Sequence, residues 1–438
     1  MRVIVIFQLT FLFFHSALSA QEKNKLSLTD AISIALEENF QIRLADNQRE
    51  IASNNNTLGN AGFLPTLDVT GTANITVENT TNTPFNGEEE TIDGARTEFY
   101  NARANLSWTL FDGTRMFVTK DRLEQVEILN DIRLKNQIEI TLAQVMITYE
   151  QAVLENERLK LFESSLEFSE ERLRIIQQKY EAGKASKLEF LQAKVDFNSD
   201  RSSLVTQQEI FQNRQLNLLE LLASEDYPNY ELDSLSSLDT TLIYEELLNQ
   251  LEVSNLSLEE QRFQQSVAEL ESKERLAERW PIIDFNLGYD YTQLEAQVGF
   301  FSTRQSSGLN YGLSARANIF NGFNQQREIQ NARLFEETSK LNYEATRNQL
   351  TTRLRAAYIT YSNNLNLLNL ETENLEVARE NSQIALDRFR IGVTDALEIR
   401  EAQLNLVNSE IRFLEAHIVA KVAEIELKRL SGSLLKSS

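Results

Sequence analysis

Leu110-Phe111-Asp112-Gly113 returns as Ile319-Phe320-Asn321-Gly322, and the step from Phe111 to Phe320 is 209 residues. Tyr180-Glu181-Ala182-Gly183, followed by Leu188, Glu189 and Ala193, returns as Phe389-Arg390-Ile391-Gly392, followed by Leu397, Glu398 and Ala402, at the same offset of 209. No net residue is gained or lost between the two motifs, so both belong to one long internal repeat. A repeated unit usually cannot bury its own apolar face. The chain therefore reads as one pseudo-symmetric body rather than two or three separate domains.

Just before each Phe-Asp/Asn-Gly motif the hydropathy period is two. Leu67, Val69, Gly71, Ala73, Ile75 and Val77 alternate with polar residues, as do Tyr100, Ala102, Ala104, Leu106, Trp108 and Leu110. The second repeat does the same with Ile283, Phe285, Leu287, Tyr289 and Tyr291, and with Leu309, Tyr311, Leu313, Ala315, Ala317 and Ile319. Each run is about ten residues, the length of a tilted strand that crosses a bilayer. Hairpins are expected over about 66–110 and 282–320, with long polar connections near 78–98 and 294–308. The alternative is a half-buried sheet on a soluble core. Arg and Asp on the polar sides suit a wet lumen better. Aromatics collect near the strand ends, where Trp108, Phe111, Trp280 and Phe320, with Phe63, form a candidate membrane girdle.

After each motif the period becomes helical, over about 114–182 and 323–391, each stretch about 100 Å long at 1.5 Å per residue. Ile138, Val145, Ala152, Leu159, Leu166, Leu173 and Tyr180 step by seven, with a second series that drifts by one residue to Phe162, Ser169 and Ile176. Leu354, Tyr361, Leu368, Leu375 and Phe389 keep the same step. Sustained heptads predict left-handed supercoiling against neighbouring helices. Gly183 and Gly392 are candidate left-handed caps, beyond which returning helices are expected from about Ser186 to Leu222 and Thr394 to Leu430. Residues 223–241 read as a linker on the outside of the helices. Shorter helices open each repeat, the first capped by Ser27, with Asn39 and Pro65 matching Asn255 and Pro281. The first repeat spans 21–222, the second 242–432, and 433–438 form a tail.

Composition narrows the function. Four Pro and 14 Gly in 438 residues favour a largely helical chain. A net charge of −22 argues against nucleic acid, which needs a basic footprint. Residues 1–20, with Arg2, an apolar run from Val3 to Phe14 and the small residues Ser16-Ala17-Leu18-Ser19-Ala20, read as a secretory signal too short to span a bilayer as a helix. No later apolar stretch is long enough for a transmembrane helix, so a membrane would have to be entered with strands. With no Cys, one His (His417) beyond the signal and no phosphate-cradling or nucleophile motif, no enzyme, cofactor or metal site is expected.

With these elements in order and in duplicate, the chain resembles the TolC-type outer-membrane efflux proteins over nearly all of its mature length. The resemblance is carried by Leu26-Ser-Leu-Thr-Asp-Ala-Ile-Ser-Ile-Ala-Leu-Glu-Glu-Asn39, by the two strand-to-helix junctions and by the two turn segments from Tyr180 and Phe389. It implies a mainly α fold with a β part: a homotrimer in which each protomer adds four transmembrane strands to a twelve-stranded barrel and an antiparallel coiled coil to a periplasmic tunnel. It further implies outer-membrane lipid, a periplasmic adaptor and, through it, an inner-membrane pump as partners. The adaptor-docking turns would be Gly183, Lys184 and Ser186 with Gly392, Val393 and Thr394. The gate of the tip would be Glu189, Phe389, Glu398 and Glu401, whose acids otherwise read as ordinary complements to a helix dipole. Departures from the best-known pattern are Glu in place of Asp, Phe389 for a tyrosine and Thr394 for an arginine.

The function implied is a passive exit duct for small molecules. Alternatives are the outlet of a type I protein secretion system, a non-conducting envelope spacer, and a soluble periplasmic coiled-coil chaperone.

Overall fold

Helix caps and apolar alternation set the element order. The computed structural model describes residues 25–83, 85, 87–224 and 230–434; the signal segment read at 1–20 lies outside them. Strand β1 (Lys25–Leu26) leads to α1 (Leu28–Glu38) and α2 (Phe40–Asn55), then β2 (Thr66–Asn82), β3 (Glu90–Phe111), α3 (Arg115–Glu181) and α4 (Lys187–Leu221). The second repeat follows as β4 (Glu231–Leu232), α5 (Tyr244–Ser254), α6 (Leu256–Ala277), β5 (Ile282–Ala296), β6 (Thr303–Arg316), α7 (Asn324–Ile391) and α8 (Ala396–Leu430). No helix among the described residues is long and apolar enough to cross a membrane.

The chain forms two compact units that interleave the repeats. Described parts of 1–39, 144–238 and 363–422 make one; 40–143, 239–362 and 423–438 make the other. In the first, Ala31 and Ala35 of α1 pack with Val145, Tyr149, Ala152 and Val153 of α3 and Leu218 of α4. Tyr149 donates its hydroxyl to the Leu26 carbonyl at 2.8 Å and accepts the Asp233 N–H at 3.2 Å, fastening the parallel pair of β1 and β4. The expected linker therefore carries a strand and core contacts. His417 Nε2 lies 3.0 Å from the Ser236 carbonyl oxygen, an ordinary structural position. The opening helices of each repeat end alike: Asn39 Nδ2 donates to Leu221 O in the first unit, and Asn255 Nδ2 to Leu430 O in the second.

The second unit holds the four-stranded antiparallel sheet, ordered β2-β3-β5-β6. Its register unites the four alternating runs on one face, because Leu67 pairs with Leu106 and Leu106 with Leu287, which pairs with Tyr311. The expected long connections are corrected. β2 and β3 run to Asn82 and from Glu90, and β5 and β6 leave only 297–302 between them. Beyond the Thr97–Ala296 pair, β2 and β3 continue as a two-stranded ribbon, bulged near Glu78. Polar residues on both faces hid it from the alternation; the pairing continues because the ladder is already set by the four-stranded sheet from which the ribbon extends. At the other end, β6 stops at Arg316 rather than Ile319.

Burial along α3 follows the drifting heptad series. Leu142, Val145, Tyr149 and Ala152 are buried, after which the buried line passes to Ser165, Ser169, Arg172 and Ile176, while Leu166 and Leu173 are only half-buried. In the second unit Glu139, 2% exposed, has its carboxyl pushed up to about 7 by burial, against a smaller opposing pull from Arg429.

Candidate functional site

Each strand-to-helix junction needs two successive left-handed residues, Gly113-Thr114 and Gly322-Phe323, with φ from +63° to +75°. The preceding side chain caps the long helix: Asp112 accepts the Met116 N–H and Asn321 the Gln325 N–H. Only glycine suits Gly113, because a Cβ there would collide with the Ala277 carbonyl and the Trp280 side chain. The repeated motif is thus a cap followed by a forced turn.

The girdle candidates lie in this unit. Trp108, Phe111, Trp280 and Phe320 are exposed, and the Trp108 indole N–H donates to Phe63 O at 2.9 Å. Phe63 meets Phe117 edge-on at 5.0 Å. Register adds an aromatic row that the sequence did not mark as one: Tyr100, Tyr289 and Tyr291 lie on the same sheet face as Trp108, toward the opposite strand ends. The other face is a polar ladder. Asp290 accepts from Arg103 and Asn310, Asp284 from Thr109 at 2.8 Å, and Asn101 donates to Thr292 at 3.0 Å. Gly288 leaves room for Asn310, which a Cβ would strike.

The second cluster is at the helix turns. Gly183 (φ +71°) and Gly392 (φ +80°) each close a helix with the same pair of bonds. Gly183 N donates to Tyr180 O and Lys184 N to Lys179 O; Gly392 N donates to Phe389 O and Val393 N to Arg388 O. This is the Schellman arrangement, which satisfies the last carbonyls of the helix. α4 then begins with a capping box in which Ser186 Oγ accepts the Glu189 N–H and Glu189 accepts the Ser186 N–H. Those bonds from Ser186, the backbone one foremost, hold the Glu189 carboxyl below its ordinary range.

The second turn differs. Asp395, which sequence reasoning passed over, is the cap: it accepts the N–H groups of Leu397 and Glu398, so α8 starts at Ala396 and not at Thr394. An Asp directly before an apolar-periodic run was the available signal. Thr394 donates its hydroxyl to Glu398, which also pairs with Arg388 at 3.3 Å.

The structure brings the two repeat-related turns together. Ile176 of α3, Ala193 of α4, Phe389 of α7 and Ile399 of α8 form one buried cluster. Phe389 is 2% exposed, with Lys179 Nζ 4.2 Å from its ring centre and bonded to its carbonyl at 3.3 Å. Among the predicted gate residues Phe389 is therefore packed inside the chain, whereas Glu189, Glu398 and Glu401 are exposed. Lys184, Gly183, Ser186, Gly392 and Val393 are exposed, and Thr394 is half-buried. Behind the cluster lies a polar layer that sequence reasoning missed. Arg172 bonds Asp196 at 2.7 Å, Arg400 bonds Asp200, and Gln403 donates to Ser165 and Ser169.

The family model described as Outer membrane efflux protein matches residues 31–224 and 247–433, one match for each repeat. None of the curated proteins compared matches the chain significantly. Among solved structures, CusC shares 19% identity over 92% of each chain with a TM-score of 0.74. The CmeC outer membrane channel of Campylobacter jejuni shares 16% identity over 99% of this chain and 94% of its own, with a TM-score of 0.79. The MtrE outer membrane channel of Neisseria gonorrhoeae, in its open state, shares 17% over 93% and 89%, with a TM-score of 0.72. At these identities the likeness is one of fold.

Proposed function

The chain belongs to the outer membrane efflux protein family, and from that membership we propose how its parts work as an exit duct. It is an outer-membrane efflux channel that extends into the periplasm. The observation that carries the proposal is the sheet: four strands apolar on one face and polar on the other, with open edges at β2 and β6. Open edges are not tolerated in lipid, and four strands cannot close a barrel. Three copies close a twelve-stranded barrel, with the row of Leu67, Leu106, Leu287 and Tyr311 toward lipid and the Arg103–Asp290 ladder toward water. The Trp108, Phe111, Trp280 and Phe320 side chains sit at the periplasmic interface.

The duct is passive. It performs no catalytic step, and energy comes from an inner-membrane pump coupled through a periplasmic adaptor. The adaptor docks on the turns at Gly183, Lys184 and Ser186 and at Gly392, Val393 and Thr394, and small solutes delivered there leave through the barrel. Glu189, Glu398 and Glu401 line the closed tip as an acidic constriction, which favours cations. Phe389 serves the gate from inside by holding the end of α7 under Lys179.

Planar-bilayer recording of the detergent-extracted protein, with its subunit count from light scattering, tests the reading. A trimer with small, cation-selective current is expected. A monomer without current would overturn it.

A further inference from the structure

The polar face of the sheet is broken by one apolar row. Along the β3–β5 register on that face, Arg103 pairs with Asp290 and Asn101 with Thr292, and then Phe99 pairs with Leu294. The next pair outward, Thr97 with Ala296, is small again. No register shift separates Phe99 and Leu294 from the Arg103–Asp290 ladder, so all of these side chains project to one side. Tyr100 and Tyr291, on the opposite face, mark the outer end of the apolar band, so the row stands at the exit mouth. Phe99 and Leu294 are half-buried and keep apolar surface toward the lumen. Lipid on the other face cannot cover it.

The row ends in a cation. Leu294 pairs with Arg304 of β6, and side chains directly opposite one another stand about 5 Å apart. Arg304 is exposed and has no ion pair among the described residues, whereas Arg103, two rows further in, is held by Asp290. On the other side of Phe99 its partner Asn74 is neutral. Across β3, β5 and β6 the row therefore offers about 10 Å of wall that is apolar at one end and cationic at the other.

Such a wall complements a molecule with an apolar body and an anionic head. A cationic amphiphile meets repulsion at Arg304, and a plain polar solute gains nothing from Phe99 and Leu294. We infer that Phe99, Leu294 and Arg304 form, once in each copy of the barrel, a subsite on the inner wall of the exit mouth that binds anionic amphiphiles. The assignment rests on the duct reading above, which turns this face toward water, and adds to it the chemical class of a solute.

The test replaces Phe99 by trifluoromethylphenylalanine in the full-length protein, places the protein in lipid nanodiscs and follows the fluorine resonance while decyl sulfate is added. A saturable shift is expected. Its midpoint should rise about fivefold with Arg304→Gln, from the lost charge-assisted contact. It should rise about tenfold with Leu294→Asn, from lost apolar burial. Decyltrimethylammonium, with the same chain and the opposite charge, should leave the resonance in place over the same range. The same label at Tyr311, on the lipid side, reports partition into the nanodisc and should be indifferent to Arg304→Gln. No shift at 99, an equal response to the two amphiphiles, a response at 99 that merely copies 311, or a midpoint unmoved by Arg304→Gln or by Leu294→Asn would each overturn the subsite. Light scattering and bilayer current of the unlabelled protein read the duct separately: a conducting trimer without the shift sinks the subsite alone, and a monomer without current sinks the duct on which it rests.

Discussion

Arg400 on α8 holds Asp200 on α4 through two hydrogen bonds of 2.6 and 3.0 Å. Asp200 also accepts from Ser169 of α3, and Gln403 donates to Ser165 and Ser169, so three helices meet in one polar layer. Apolar clusters lie on either side of it along the chain, one at Ile176 and Phe389, the other at Leu154 and Leu414.

Arg400 and Asp200 are partly buried, with side chains 15% and 13% exposed, and breaking such a pair costs more than replacing it, because the survivor loses its counter-ion. Arg400→Leu alone should lower stability by about 3–5 kcal/mol, whereas Asp200→Leu with Arg400→Leu should stay within about 2 kcal/mol of the unaltered protein. Denaturant titration followed by helical circular dichroism measures both. Equal losses would mean that the ion pair itself supplies net stability.

Gly113 and Gly322 occupy equivalent junctions but different surroundings. Both have positive φ, so alanine costs about 1–2 kcal/mol of backbone strain at each. At Gly113 the added carbon also meets Ala277 and Trp280, while at Gly322 it has room. Gly113→Ala should therefore destabilise by about 3 kcal/mol or more. Thermal melts that rank the two variants alike would contradict the crowding seen at Trp280.

Glu139 makes stability depend on pH. Its folded carboxyl titrates near 7 against an ordinary 4.5, so the folded state keeps a proton that the unfolded state releases. The stability this gives is complete below about 4.5 and is lost as pH rises through 7. Glu139→Gln should melt like the unaltered protein near pH 4.5 and be more stable at pH 8, by on the order of 2–3 kcal/mol. A melting difference that does not grow with pH counts against a buried, protonated Glu139.

Glu398→Ala with Glu401→Ala should raise conductance and weaken cation preference, since carboxylates at a constriction set both. Removing Glu398 also frees Arg388 and the Thr394 hydroxyl at the turn. Bilayer current with unchanged size and selectivity would exclude these two acids from the gate.

The repeat, the four alternating runs, both glycine caps and the long helices were readable in the chain, because period, capping and forced positive φ are local properties. The hairpin lengths were not. Val77 and Tyr100 end the apolar alternation, but backbone pairing continues to Asn82 and Glu90 without an apolar face to announce it. Asp395 was readable and was passed over, since Thr394 beside it is also a plausible cap.

By itself the sequence determined that two equivalent halves each supply a hairpin, a long helix and a glycine-turned return. Tertiary structure alone decided that Leu67, Leu106, Leu287 and Tyr311 share a row, that Phe389 is packed inside, and that Arg400 finds Asp200. Those relationships join residues tens to hundreds of positions apart. A seven-residue period states that a helix has a buried side, but which neighbour fills it, and which charges meet there, is settled only when the helices pack.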